Sequence, residues 1–215
     1  MQNTKVLEML ISNRIDELKQ MLRDEIYADI LKKKPGANKR YSAMKKYFTY
    51  IKSEREFLQK PCIVEYEGNN YTSFCNSYSA ALTTEPCGTI ELYTDMDRYP
   101  NIARLIRKDG EESLIDFTKT IAKAKLEGYK LNKSEVNTHK FRYLLKYRNT
   151  YFKLGLLDAT FSIIDDGEPA RVYISDDPHT PITIETSIGI CTVMPMRIED
   201  ADENHIIVEA EEVSV

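Results

Sequence analysis

Apolar residues in the first 60 positions recur at helical intervals. Val6, Met9, Leu10, Ile15, Leu18, Leu22, Ile26 and Ile30 predict helix over 6–31. Asn13 is placed to cap a second helix after a short break, with Asp16 and Glu17 as first-turn acids. Pro35-Gly36, inside KKKPGANKR, breaks the pattern and predicts a linker. Helical spacing resumes at Tyr41, Met44, Tyr47, Phe48 and Ile51 and runs on to Phe57-Leu58.

From Pro61 the period shortens. CIVEYE and YTSFCN read as strands about a Gly68-Asn69-Asn70 turn, and GTIELYTD as a further strand. RYPNIARLIRKDG is an irregular basic connector. SLIDFTKTIAKAKLEG predicts an amphipathic helix with Leu114, Phe117, Ile121 and Ala124 on one face and Gly128 as its stop. Next come SEVNTHKF as a short strand and FRYLLKYRNTYFKLG as a short helix. The strands ATFSIIDD, ARVYISDD, PITIETS and GICTVMPMR follow, the first two separated by a Gly167-Glu168 turn.

This order predicts an α+β fold. Helix followed by strands occurs over Tyr41–Asp95. From Ser134 the order is strand, helix, then antiparallel strands, an echo that suggests two related units sharing one core. The expected organisation is a basic helical N-terminal region over 1–60, an α+β domain over 61–198 and an acidic C-terminal tail over 199–215.

Composition narrows the class. The 215 residues suit one larger domain or two small ones, and 42% hydrophobic with 30% charged residues is ordinary for a soluble globular protein. No apolar stretch approaches the ~18–20 residues that span a bilayer, and the N-terminus lacks a signal-type apolar run, so a cytoplasmic protein without membrane contact is expected. Cys62, Cys75, Cys87 and Cys191 lie far apart, without metal-ligand spacing, which predicts buried thiols and no metal or cofactor. The net charge of −4 hides a partition. Lys32 to Arg55 carries Lys32, Lys33, Lys34, Lys39, Arg40, Lys45, Lys46, Lys52 and Arg55 against Glu54. The residues after Arg197 carry acids and no Lys or Arg.

The basic block supplies a DNA-facing candidate: Lys39, Arg40, Lys45, Lys46, Lys52 and Arg55 at near-helical spacing suit nonspecific phosphate contact. Tyr47 and Tyr50 could stack on exposed bases. The other reading is a solvated helix face balancing the acidic tail. Enzymatic chemistry is not expected. Asp95/Asp97, Asp165-Asp166 and Asp176-Asp177 fall at strand ends or turns, where Asp is favoured for backbone reasons. His139, His179 and His205 are scattered, and no phosphate-cradling loop occurs.

The sharpest local feature is ICTVMPMRIED. A β-branched strand must stop or meet an edge at Pro195, which has no N–H for a ladder, and two methionines flank that stop. The residues leave two readings open: core filler, or an adaptable surface that receives peptides.

Val193-Met194-Pro195-Met196-Arg197 resembles the closing motif of the bacterial DNA sliding clamp, the beta subunit of DNA polymerase III. RYPNIARLI and SEVNTHKFRYLLKY are similar to that family's connector and its approach to the last strands. FCNSYSAAL lies where the family has Thr-Asp-Gly-His/Tyr-Arg-Leu-Ala, with Ser79 in place of the arginine. The likeness covers about Pro61 to Arg197 and implies a reduced clamp, of the kind a phage or mobile element encodes. It implies a domain of paired helix-plus-strand units. It also implies a groove for short peptides of replication proteins at Val193, Met194, Pro195, Met196 and Arg197, with Tyr78, Ala80 and Leu82 as the opposite wall. DNA and further copies of the chain are the other implied partners. The competing reading is an interaction or inhibitor protein that keeps such a fold without a ring, its acidic tail mimicking DNA.

Overall fold

A computed structural model describes residues 12, 14–15, 18, 21–22, 25, 27, 29, 32–50, 55–137, 141–196 and 204–213. Asn13, Ile51, Lys52, Glu54, His139 and Arg197, most of the expected 6–31 helix and the first acids of the C-terminal end lie outside the described residues.

Helix α1, Ala37–Tyr50, begins immediately after the Pro35-Gly36 turn, where Gly36 takes φ 73°. The expected linker is therefore only a turn, and Asn38, Lys39 and Arg40 are already helical. Ala37, Arg40, Met44 and Tyr47 form the buried stripe of α1, at the three- and four-residue spacing that one helix face requires. Strands β1 (Cys62–Tyr66) and β2 (Asn69–Cys75) form the expected hairpin, and Glu67-Gly68 takes its two positive-φ positions. Strand β3, Ser79–Thr83, completes the meander.

The expected GTIELYTD strand is irregular chain, held by Tyr93 N–H donating to the Pro61 carbonyl at 2.7 Å. Glu111–Ile115 is strand β4, so Leu114 belongs to a sheet and not to the following helix. Helix α2, Phe117–Leu126, has Asp116 as its N-cap, whose Oδ1 accepts from Lys119 N–H at 2.8 Å. Phe117, Ile121 and Ala124 face the core as expected, and Gly128 beyond the helix takes φ 93°.

Three elements reverse the expected type. Lys133–Asn137 is helix α3; Tyr143–Tyr147 and Thr150–Lys153 are the hairpin β5–β6; Leu154–Phe161 is helix α4. Every residue of α4 is buried. Continuous apolar runs carry no period that separates a buried helix from a buried strand, so the surroundings decide. Helices α3 and α4 cross so closely that a Cβ on Gly155 would lie 2.7 Å from the Glu135 carbonyl oxygen. The meander β7 (Ala170–Ile174), β8 (Ile182–Thr186) and β9 (Gly189–Val193) forms as expected. The acidic end contributes strand β10, Ile206–Glu209, where a free tail was expected.

Two sheets result. An antiparallel seven-stranded sheet runs β1-β2-β3-β9-β8-β7-β4, and a smaller one runs β10-β5-β6, with β10 parallel to β5. The architecture is α+β, and the expected echo is visible in it. Helix α1 precedes β1–β2–β3, helix α4 precedes β7–β8–β9, and the two meanders join through β3 and β9. Across the joined sheet the register aligns Phe74, Ala81, Cys191, Ile184 and Val172 in one buried row. Helices α1, α2 and α4 and the smaller sheet pack on that side. The opposite face carries a smaller cluster of Cys62, Cys75, Ala80 and Leu82 beneath Leu58, Tyr99 and Ile102. All four cysteines are unbridged and buried, and burial pushes the Cys75 thiol up to about 12.

The N-cap of α2 gives a stability prediction. Partial burial pulls the Asp116 pKa up, but the Lys119 N–H, its ammonium and other local donors outweigh this and hold the carboxyl below its ordinary range. Asp116→Ala is expected to cost about 1 kcal/mol in urea denaturation at neutral pH. A carboxyl whose folded pKa is depressed stabilises above its unfolded value near ~3.9 and loses that contribution as pH falls through the folded value. The difference between wild type and variant is therefore expected to shrink in acid.

Candidate functional site

The β2–β3 turn builds one side of the site. Buried Asn76 accepts from Tyr78 N–H at 2.6 Å and Ser79 N–H at 2.8 Å, while its own N–H donates to the Ser79 carbonyl. Its Nδ2 donates to Ser79 Oγ at 3.0 Å and to the Tyr47 hydroxyl at 3.3 Å, and Thr160 Oγ1 donates to Ser79 Oγ at 2.9 Å. This network ties the turn to α1 and α4 from inside and leaves Tyr78 outside, 66% exposed. Ser79, where the resembled family has arginine, is closed in by Tyr47, Asn76 and Thr160.

The end of β9 builds the other side. Met194 N–H donates to the Tyr78 carbonyl at 2.8 Å, one residue beyond the Ser79–Val193 pair, so the ladder continues to the last residue before Pro195. Met196 N–H then donates to the Tyr151 carbonyl on β6, also at 2.8 Å. The Met194-Pro195-Met196 stretch thus bridges the large sheet to the small one. Met194 is 37% exposed, and Pro195, Met196 and Tyr151 are half-buried. Together with Tyr78 they form an apolar ledge whose backbone is pinned at both ends.

The other expected groove residues sit deeper. Val193 points to the helix-side core; Ala80 and Leu82 lie on the opposite face of β3, buried against Tyr99 and Ile102. That face is roofed by the Tyr-Pro connector. Ile102 packs beside Ala80, and Arg107 N–H donates to Thr183 Oγ1 on β8 at 3.1 Å, so the chain between them crosses β9. Leu105, on this crossing, is 39% exposed. Asn76 and Tyr151 are additions to the site. Only Asn76 carried a local signal, as an Asn at a turn between two strands.

The basic candidates divide. Arg40 is buried: its guanidinium donates to the Asp165 and Pro35 carbonyls at 3.1 and 3.2 Å and pairs with buried Glu85 at 3.3 Å. That charge is spent inside the fold and is withdrawn from any DNA-facing set. Lys39 is exposed but sits 2.5 Å from Asp165. Lys45 lies over the Tyr41 ring at 4.5 Å, and Lys46 and Arg55 are exposed. Tyr47, expected as a stacking platform, is fully buried; Tyr50 is half-buried.

The acid pairs are held by turns and local partners. Asp165 accepts from Gly167 N–H, Asp166 from the Ser187 N–H and hydroxyl, and Asp177 from His179 N–H. No metal-holding group of three or more His, Cys, Asp or Glu occurs among the described residues. No helix among them is long and apolar enough to cross a membrane.

No protein-family model matches the chain, and no curated protein matches it. Among solved structures, it is similar to the crystal structure of the DNA polymerase sliding clamp from Bacillus subtilis. Identity is 12% and the TM-score 0.45, over 76% of this chain and 63% of that one. The chain thus spans less than two thirds of that clamp's length.

The split between ledge and core predicts distinct stability effects. Leu82→Ala, at a fully buried position, is expected to cost about 2–5 kcal/mol in urea denaturation. Met194→Ala, at the exposed ledge, is expected to stay within about 1 kcal/mol of wild type.

Proposed function

We propose that this chain is a sliding-clamp-like accessory protein of DNA replication. Its ledge receives short linear peptides of replication proteins, and its helical side touches DNA without reading sequence. The observation that supports this most is the bridging stretch Met194-Pro195-Met196. Backbone bonds to Tyr78 and Tyr151 hold it in place, yet its thioethers stay at the surface beside an exposed tyrosine. A rigid backbone carrying flexible apolar side chains suits a site that must accept several related anchors. The motif likeness at Val193–Arg197 supports the same reading. Further copies of the chain are part of this reading, since a ring around DNA closes by symmetric association.

The DNA-contact part rests on Lys45 and Lys46 of α1, with Lys39 and Arg55 beside them in the chain and Arg40 removed. Among the described acids of the C-terminal end, Glu209 pairs with Lys146 and Glu211 with Lys123.

Met194→Ala combined with Met196→Ala is expected to weaken binding of a short apolar clamp-binding peptide at least tenfold in fluorescence anisotropy, with the far-UV circular dichroism unchanged. Loss of the fold in that variant would assign the methionines to the core. For DNA, Lys45→Glu with Lys46→Glu is expected to lower duplex affinity and flatten its salt dependence. An unchanged slope would remove α1 from the interface.

A further inference from the structure

A cleft of about 450 Å³ opens between α1, α4 and the end of α2. Its walls bring together three lysines from two helices far apart in sequence: Lys39 and Lys46 from α1 and Lys125 from α2. Lys46 and Lys125 make no ion pair among the described residues, whereas their neighbours Lys119 and Lys123 are neutralised by Asp116 and Glu211. Ser42 and Ser162 add hydroxyls to the walls, and Ala43, Leu131 and Ala159 add an apolar surface.

One acid, Asp158, lies in the lining, and its oxygens are already engaged. Tyr129 O–H donates to Oδ2 at 3.0 Å and Ser162 Oγ to Oδ1 at 3.1 Å. Burial pushes its pKa up, while Lys125, its hydrogen bonds from Tyr129 and Ser162, and Lys39 pull the other way. The volume lies within the ~300–1,000 Å³ range of small-ligand pockets. The walls combine cations that attract a phosphate with an apolar surface that accepts an organic group.

From this convergence we infer that the cleft binds a phosphate ester of nucleotide size, its phosphate at Lys46 and Lys125 and its organic part against Ala43, Leu131 and Ala159. The ester is either a free nucleotide or one nucleotide of a DNA strand; both present the same chemistry to the cleft. Lys125 is the distinctive residue, because it lies outside the basic block of α1 and outside the peptide ledge. The inference does not depend on the ledge, and it depends on the DNA-contact reading only if the ester is part of a strand.

The test compares wild type, Lys125→Ser and Lys45→Glu/Lys46→Glu by calorimetry with thymidine monophosphate and by anisotropy with a labelled oligo-dT. Wild type is expected to bind at least one of the two, and Lys125→Ser to weaken that binding at least fivefold. Lys125-dependent binding of the monophosphate identifies a free nucleotide as a ligand. Dependence seen only with the oligonucleotide identifies the strand, and its salt slope then falls by about one for the lost phosphate contact. Monophosphate and oligonucleotide binding both indifferent to Lys125, or absent from wild type, would overturn the inference. Oligonucleotide binding lost in Lys45→Glu/Lys46→Glu but intact in Lys125→Ser overturns the cleft while leaving the α1 reading standing.

Discussion

Pairing of β3 with β9 makes one sheet out of two meanders, and most of the molecule is arranged around that seam. Five residue pairs, from Ser79–Val193 to Thr83–Gly189, align the inward rows of both halves, so a single apolar surface faces α1, α2 and α4. The approach is close: a Cβ on Gly189 would lie 2.2 Å from the Leu82 carbonyl oxygen. A one-residue slip of β9 against β3 would turn Cys191 away from the helix-side core and Thr192 into it. The buried Tyr47–Asn76–Ser79–Thr160 network sits at one end of the seam and adds polar specificity where the apolar rows end.

The same seam generates the ledge. Because the β3–β9 ladder runs on to Met194, the chain reaches Pro195 with its direction fixed, and the next backbone bond goes to β6. Proline ends the pairing without ending the constraint. The methionines are thereby held at a boundary between sheets, where their side chains can adapt without cost to the core. On the helical side, Arg40, Glu85 and Asp165 lock the start of α1 to the end of β3 and to the turn before β7. A buried pair of this kind is costly to break, because the remaining charge would lose its partner. It positions the exposed lysines that follow it on α1.

Legibility varied by element for identifiable reasons. Helix α1, the β1–β2 hairpin and the β7–β8–β9 meander were readable because each is half-buried or bounded by Gly or Pro, so period and punctuation agree. Helix α4 and the β5–β6 hairpin were not. LGLLDATF is buried all round, and YLLKY is buried at every position but Lys146, so neither stretch carries a distinguishing period. Strand β10 was hidden by charge: Ile206–Val208 lies among acids, and its worth as a strand depends on a partner over 60 positions earlier in the chain, at Tyr143–Leu145. In the candidate site, Tyr78, Met194, Pro195 and Met196 were visible as residues, while Tyr151 arrives only by long-range contact.

The sequence by itself determined where the chain must turn, which helix faces are apolar, that a proline ends the strand before Met196, and that basic residues cluster over 32–55. These are local properties, set by backbone chemistry and by neighbours within a few positions. Tertiary structure alone decided which of the named residues can meet a partner. It buried Arg40 against Glu85, drew Ala80 and Leu82 beneath Tyr99, exposed Tyr78, and carried Lys125 to the cleft beside Lys46. Exposure and charge pairing depend on what packs from distant parts of the chain, and no local pattern encodes that.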